Sequence, residues 1–144
     1  MKTRTCVLLS ACVISFTAFA AESPKLDGTW KPVEAELGGQ PTPAAVLASI
    51  TLRLRGESYE VVVVTERGIS PDKGTVAFDE AAKPKGMTVT GVEGPNAGKT
   101  FPAIFELEGD RLRICYDLSG AKRPSEFRSV PGTKLFLVTY RRAE

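Results

Sequence analysis

Apolar and polar side chains alternate with a period of two through most of the chain between residues 28 and 142, in short runs separated by glycine- and proline-rich turns. This feature limits the fold most, because a period of two puts one apolar face on a strand, whereas a helix needs a period near 3.6. Ile50, Leu52 and Leu54 alternate with Thr51, Arg53 and Arg55, and past the turn at Gly56 the side chains of Tyr59, Val61, Val63 and Thr65 take the same face. Val76 and Phe78 share a face in residues 74–79, as do Met87 and Val89 in 87–93. Phe101, Ala103, Phe105 and Leu107 line up in 100–107; Glu108-Gly109-Asp110 reverses the chain, and Leu112, Ile114 and Tyr116 follow. A first strand over 28–36 and a last one over 134–142 bring the expected count to eight. Residues 68–73, 81–86 and 94–98 read as turns, and 118–133 as a longer irregular stretch. The one expected helix spans residues 43–49, with Thr42 as N-cap and Pro43 at its first position.

Eight short strands with one apolar face each must stack as two sheets or close on themselves, and closure alone removes the exposed edges. The expected fold is therefore mainly β, an eight-stranded antiparallel up-and-down barrel with one short helix after the first strand. A Greek-key sandwich is the alternative, since periodicity carries no strand order.

The chain contains no histidine among its 144 residues, which removes the usual proton shuttle near neutral pH and the commonest nitrogen ligand for zinc. Asp72, Asp79, Glu80 and Glu93 lack calcium-loop spacing, so no metal and no cofactor is expected. No set of acid, base and electrophile can be named, and the reading is of a protein that is not an enzyme.

Residues 1–20 read as an export signal: Lys2 and Arg4 precede an apolar run from Cys6 to Phe19, and Ala18-Phe19-Ala20 offers small residues for cleavage after Ala20. Leu9-Ser10-Ala11-Cys12 resembles a lipoprotein cleavage box, with lipid anchoring through Cys12 as the alternative. The expectation is one domain over 21–144, exported to the periplasm or secreted, without stable membrane insertion. Losing Lys2 and Arg4 brings the 19 basic groups level with the 17 acidic ones. A neutral domain without a Lys/Arg run is a poor match for nucleic acid. Residues 111–144 nevertheless hold eight basic and three acidic groups, either a basic face or strands that neutralise one another.

Gly28-Thr29-Trp30 on the first strand, the short helix, the meander and the terminal Arg141-Arg142 together resemble the lipocalin-like barrels. In that family a G-x-W tryptophan closes one barrel end beneath a basic side chain from beyond the last strand. The resemblance implies this role for Trp30 and for Arg141 or Arg142. The blocks Leu26-Asp27-Gly28-Thr29-Trp30, Leu107 to Tyr116 and Arg123-Pro124-Ser125-Glu126-Phe127 also look like a family of small exported domains frequent in planctomycete bacteria and without an assigned activity.

Three local features have a functional and a plain reading. Gly94-Pro95-Asn96-Ala97-Gly98-Lys99-Thr100 is one residue short of a phosphate-binding loop, with Glu93 where glycine is required, and it leads into a strand rather than a helix. Cys115 is left as the one cysteine after signal removal; it is a nucleophile beside Arg113 or, as favoured here, a small buried apolar group covered by 123–127. The Arg123 to Phe127 segment is an anion clamp or a staple in which Phe127 plugs the barrel end and Arg123 pairs with Glu126, Asp117 or Asp27.

An eight-stranded barrel is just wide enough to be filled by its own side chains or to hold one small ligand. The first reading is a carrier or sensor that encloses a small apolar molecule lined by Tyr59, Val61, Val63, Met87, Val89, Phe105, Ile114 and Tyr116, with the 44–48 helix as a lid. The second is a filled barrel acting as an envelope interaction module through Arg111, Arg113 and Arg128. No protein partner can be named.

Overall fold

The computed structural model describes residues Leu26–Ala143. The expected signal segment and Cys12 lie outside the described residues.

The strands are β1 (Gly28–Leu37), β2 (Gln40–Pro41), β3 (Ile50–Arg55), β4 (Ser58–Thr65), β5 (Gly68–Asp79), β6 (Gly86–Glu93), β7 (Thr100–Glu108), β8 (Arg111–Asp117) and β9 (Leu135–Ala143), with helix α1 (Ala44–Ala48) between β2 and β3. Each strand from β3 onward pairs antiparallel with the next, β1 pairs with β3, and β9 returns to β1 from Thr29↔Ala143 to Leu37↔Phe136. That last pairing closes an eight-stranded up-and-down barrel; β2 is only the return arm of a two-residue hairpin on β1. The sandwich alternative is thereby excluded.

The alternation does what the period requires. Leu52, Leu54, Tyr59, Val76, Met87, Val89, Phe101, Ala103, Phe105, Leu112, Ile114, Val138 and Tyr140 form one buried cluster with Trp30 and Leu26. The exception is on β1, where pairing with β9 shifts between Pro32 and Glu34. The bulge lets Pro32 and Ala35 both face inward, three residues apart, and turns Val33 outward.

Two local expectations are corrected. Helix α1 takes Pro43 as its N-cap, with no side-chain cap; Thr42 belongs to the hairpin, its N–H donating to the Ala35 carbonyl at 2.8 Å. Residues 68–73 are not a turn but the first half of β5, paired with β4 from Thr65↔Gly68 through Glu60↔Lys73. The proline at 71 is tolerated there because β6 reaches β5 only from Lys73, which leaves that stretch an edge without a second ladder.

The barrel has a closed and an open end. The start of β1, the end of β9 and the turns at 56–57, 80–85 and 109–110 lie at the closed end. Trp30 is completely buried there, its indole N–H donating to the Leu26 carbonyl at 2.8 Å. Of the two arginines that could cover it, Arg142 does: its guanidinium lies 4.3 Å from the indole ring centre and donates to the Asp27 carbonyl at 2.7 Å.

Candidate functional site

The other end opens on a cavity of about 1020 Å³ that runs down the barrel axis. Its walls are apolar: Leu52 and Leu54 from β3, Val61 and Val63 from β4, Val76 from β5, Met87 and Val89 from β6, Ile114 from β8 and Val138 from β9. Leu47, the buried residue of α1, reaches in from the mouth, so the helix sits as a partial lid. The barrel is therefore hollow above and packed below, where Phe78 and Phe105 meet edge to face at 5.7 Å between ring centres. Its void is far larger than a packing defect and lies at the upper end of the roughly 300–1000 Å³ usual for small-molecule sites.

Seven of the eight side chains expected from the sequence face this cavity: Tyr59, Val61, Val63, Met87, Val89, Ile114 and Tyr116. Phe105 does not; it is spent in the packed base against Phe78. Parity puts Phe105 on the inward face correctly but cannot say how far along the axis the filling stops. The expectation missed Tyr140 and Asp72, both of which line the cavity. Tyr140 lies in the last strand's alternation and could have been found; Asp72 lies in the segment read as a turn.

Asp72 is the one carboxylate in the wall, and both of its oxygens accept hydrogen bonds. Oδ1 accepts from the Asn96 backbone N–H at 3.0 Å, and Oδ2 accepts from the Asn96 amide at 3.0 Å and the Tyr59 hydroxyl at 3.1 Å. Asn96 belongs to the 94–99 loop, which folds inward over Gly91: a Cβ there would collide with the Asn96 carbonyl. Gly74 is equally required, because a Cβ there would collide with the Thr90 carbonyl and then with the Tyr59 ring. Asp72 thus ties a mouth loop to the barrel interior. The near-match to a phosphate loop is this mouth strap, and it leads into β7.

The phenols of Tyr116 and Tyr140 face each other inside the barrel, oxygen to oxygen at 3.4 Å, and the Tyr116 ring stacks on Phe136. Burial pushes the Tyr140 phenol up to about 12 and the Tyr116 phenol well above its usual value of 10.0. Burial, then the Asp72 carboxylate, raises Tyr59 likewise. All three remain neutral donors at physiological pH.

Lys99 and Lys134 line the mouth, immediately before β7 and β9. Among the described residues, five of the six large apolar side chains most exposed to solvent also ring this end: Leu37, Val46, Val64, Ile69 and Val92. Among the described residues there is no cluster of three or more potential metal ligands, and no helix is long and apolar enough to cross a membrane.

Outside the barrel, the 118–134 connection covers β8. Cys115 is fully buried beneath it, its thiol directed at the Arg128 carbonyl at 3.6 Å and raised by burial. The staple has other partners than expected. Arg123 pairs with Asp79 at 3.0 Å, and Phe127 lies under the Arg113 guanidinium, 4.5 Å from it, on the outer face instead of in the barrel end. The reason is parity, since Arg113 and Cys115 point outward and need a cover there. Arg111, Arg113 and Arg128 pair with Glu108, Glu106 and Glu126, so their charge is neutralised locally.

No family model and no curated protein matches this sequence. Among solved structures, a lipocalin-like protein from Bacteroides uniformis superposes with a TM-score of 0.54 over 82% of this chain and 98% of its own, at 13% identity. An uncharacterized protein from Bacteroides eggerthii gives a TM-score of 0.47 over 82% and 99%, at 12% identity. At 13% identity the first likeness is one of fold: a lipocalin-like barrel.

Proposed function

We propose that this lipocalin-like barrel is an exported, non-catalytic carrier or sensor that encloses a small, largely apolar molecule, with residues 1–20 as its export signal and 21–144 as the domain. The resemblance of its sequence blocks to the planctomycete-type exported domains is part of this proposal for export and adds nothing on activity. The cavity of about 1020 Å³ carries it, because apolar wall area kept out of packing forfeits about 25 cal/mol per Å² until a guest covers it. Tyr59, Val61, Val63, Met87, Val89, Ile114 and Tyr116 supply the wall, and α1 and the 94–99 loop border the mouth through Leu47 and Asn96.

Val61 is the position to block. It pairs with Leu52 on one side and Asp72 on the other, and its side chain points into the void. A Val61→Trp chain places an indole where there is space, so circular dichroism and melting temperature stay near wild type. Uptake of the neutral dye N-phenyl-1-naphthylamine falls by about tenfold or more. Wild-type dye affinity in that variant rejects the wall assignment.

A further inference from the structure

The Tyr116 and Tyr140 hydroxyls hold two protons and share one bond, since whichever phenol donates leaves the other's proton without an acceptor among the described residues. The bond they share is also poor: 3.4 Å against the roughly 2.7–2.8 Å of a usual O–H···O contact. Both residues line the cavity, and neither phenol is hydrogen-bonded to Asp72, which is held by Tyr59 and Asn96. A purely hydrocarbon guest pressed against them would remove water from a donor and offer nothing in return.

We infer that the Tyr116–Tyr140 pair is a polar subsite which donates to a neutral acceptor oxygen, a ketone, ester, ether or alcohol, on an otherwise apolar guest. This rests on the carrier reading and narrows its ligand class. Neutrality follows from the charges that line the cavity. Its cations, Lys99 and Lys134, stand at the mouth and bond to neither phenol, while its one carboxylate lies beside Tyr59. An anionic head placed between the phenols would be buried without a counter-ion.

Nonan-2-one and nonane, matched in chain length, separate the two claims when each is titrated against the full chain by displacement of N-phenyl-1-naphthylamine. The double variant Tyr116→Phe/Tyr140→Phe weakens nonan-2-one by roughly two- to tenfold and leaves nonane unchanged or tighter. Each single Phe variant keeps one phenolic donor and loses less than the double. A merely structural pair would shift both probes together. Infrared spectra need no variant: the carbonyl band of nonan-2-one bound to wild type moves to lower frequency than in hexane. If both probes bind but the band does not move, or the double variant treats them alike, the subsite is refuted and the carrier stands. If the dye binds but nonan-2-one does not displace it, the subsite falls and the carrier stands; if the wild-type chain takes up neither dye nor probe, both fall.

Discussion

The closed end of the barrel can be taken apart at one residue. Replacing Arg142 by Met keeps the alkyl stem that packs on Trp30 and deletes the guanidinium. At least three contacts go with it. The cation lies 4.3 Å from the indole centre with about a third of the side chain exposed, which puts its contribution at about 1 kcal/mol, between the exposed and desolvated limits. The 2.7 Å bond to the Asp27 carbonyl adds about 1 kcal/mol. The Asp110 contact at 3.4 Å, with that carboxylate largely in solvent, adds at most about 0.5 kcal/mol. The variant is therefore expected to lose about 2–3 kcal/mol in urea unfolding, and its Trp30 emission to shift to longer wavelength as water reaches the ring. Arg141 sits one residue earlier with its side chain in solvent, so Arg141→Met should stay within about 0.5 kcal/mol of wild type. A cycle with Trp30→Phe, followed by circular dichroism, isolates the part of the loss that needs the indole. Equal effects of the two arginine variants, or an Arg142 loss unchanged in the Trp30→Phe background, would show that the cap is not built as described.

Three further outcomes follow from the same contacts. Asp117 is raised by burial but lowered further by donors, the Ser119 hydroxyl first and then the Lys122 and Ser119 amides, and ends below its ordinary 3.8. A lowered carboxylate stabilises the fold above its unfolded value and loses that contribution as pH falls through the folded one. The melting temperature of Asp117→Asn should trail wild type at neutral pH and converge on it below about pH 3.8; a gap constant with pH contradicts this. The chain's three tyrosines all lie in the cavity wall with raised phenols, so native protein between pH 10 and 12 should show far less tyrosinate absorbance than the same protein in urea. Because the unfolded chain releases those protons first, stability falls as pH rises above 10; tyrosinate appearing at pH 10 in folded protein would place the phenols in water. Gly91→Val forces the Asn96 backbone out of its seat, which should cost about 1–3 kcal/mol and loosen the mouth strap, seen as faster hydrogen exchange in 94–99. Unchanged exchange and stability there would mean that the strap does not depend on Gly91.

The sequence determines on its own that this chain makes strands, which side chains most of them bury outside the β1 bulge and the first half of β5, and that the tryptophan is an anchor. Those properties belong to a repeat of two, and the repeat is local: Tyr59, Val61 and Val63 face one way whatever they pair with. It also determines the helix at 44–48, though not its cap, because Thr42 was claimed by a hairpin whose register is set by Ala35. Tertiary structure decides everything that depends on distance along the axis or around the circumference. Phe105 and Val89 share the inward parity, yet one is packed in the base and the other borders space. Arg142 rather than Arg141 covers Trp30, and Asp72 with a strap some twenty residues later becomes part of the wall. Strand closure sets these relations: the β1–β9 register fixes the arginine that meets the indole, and the tilt of eight strands fixes how much interior their side chains must fill.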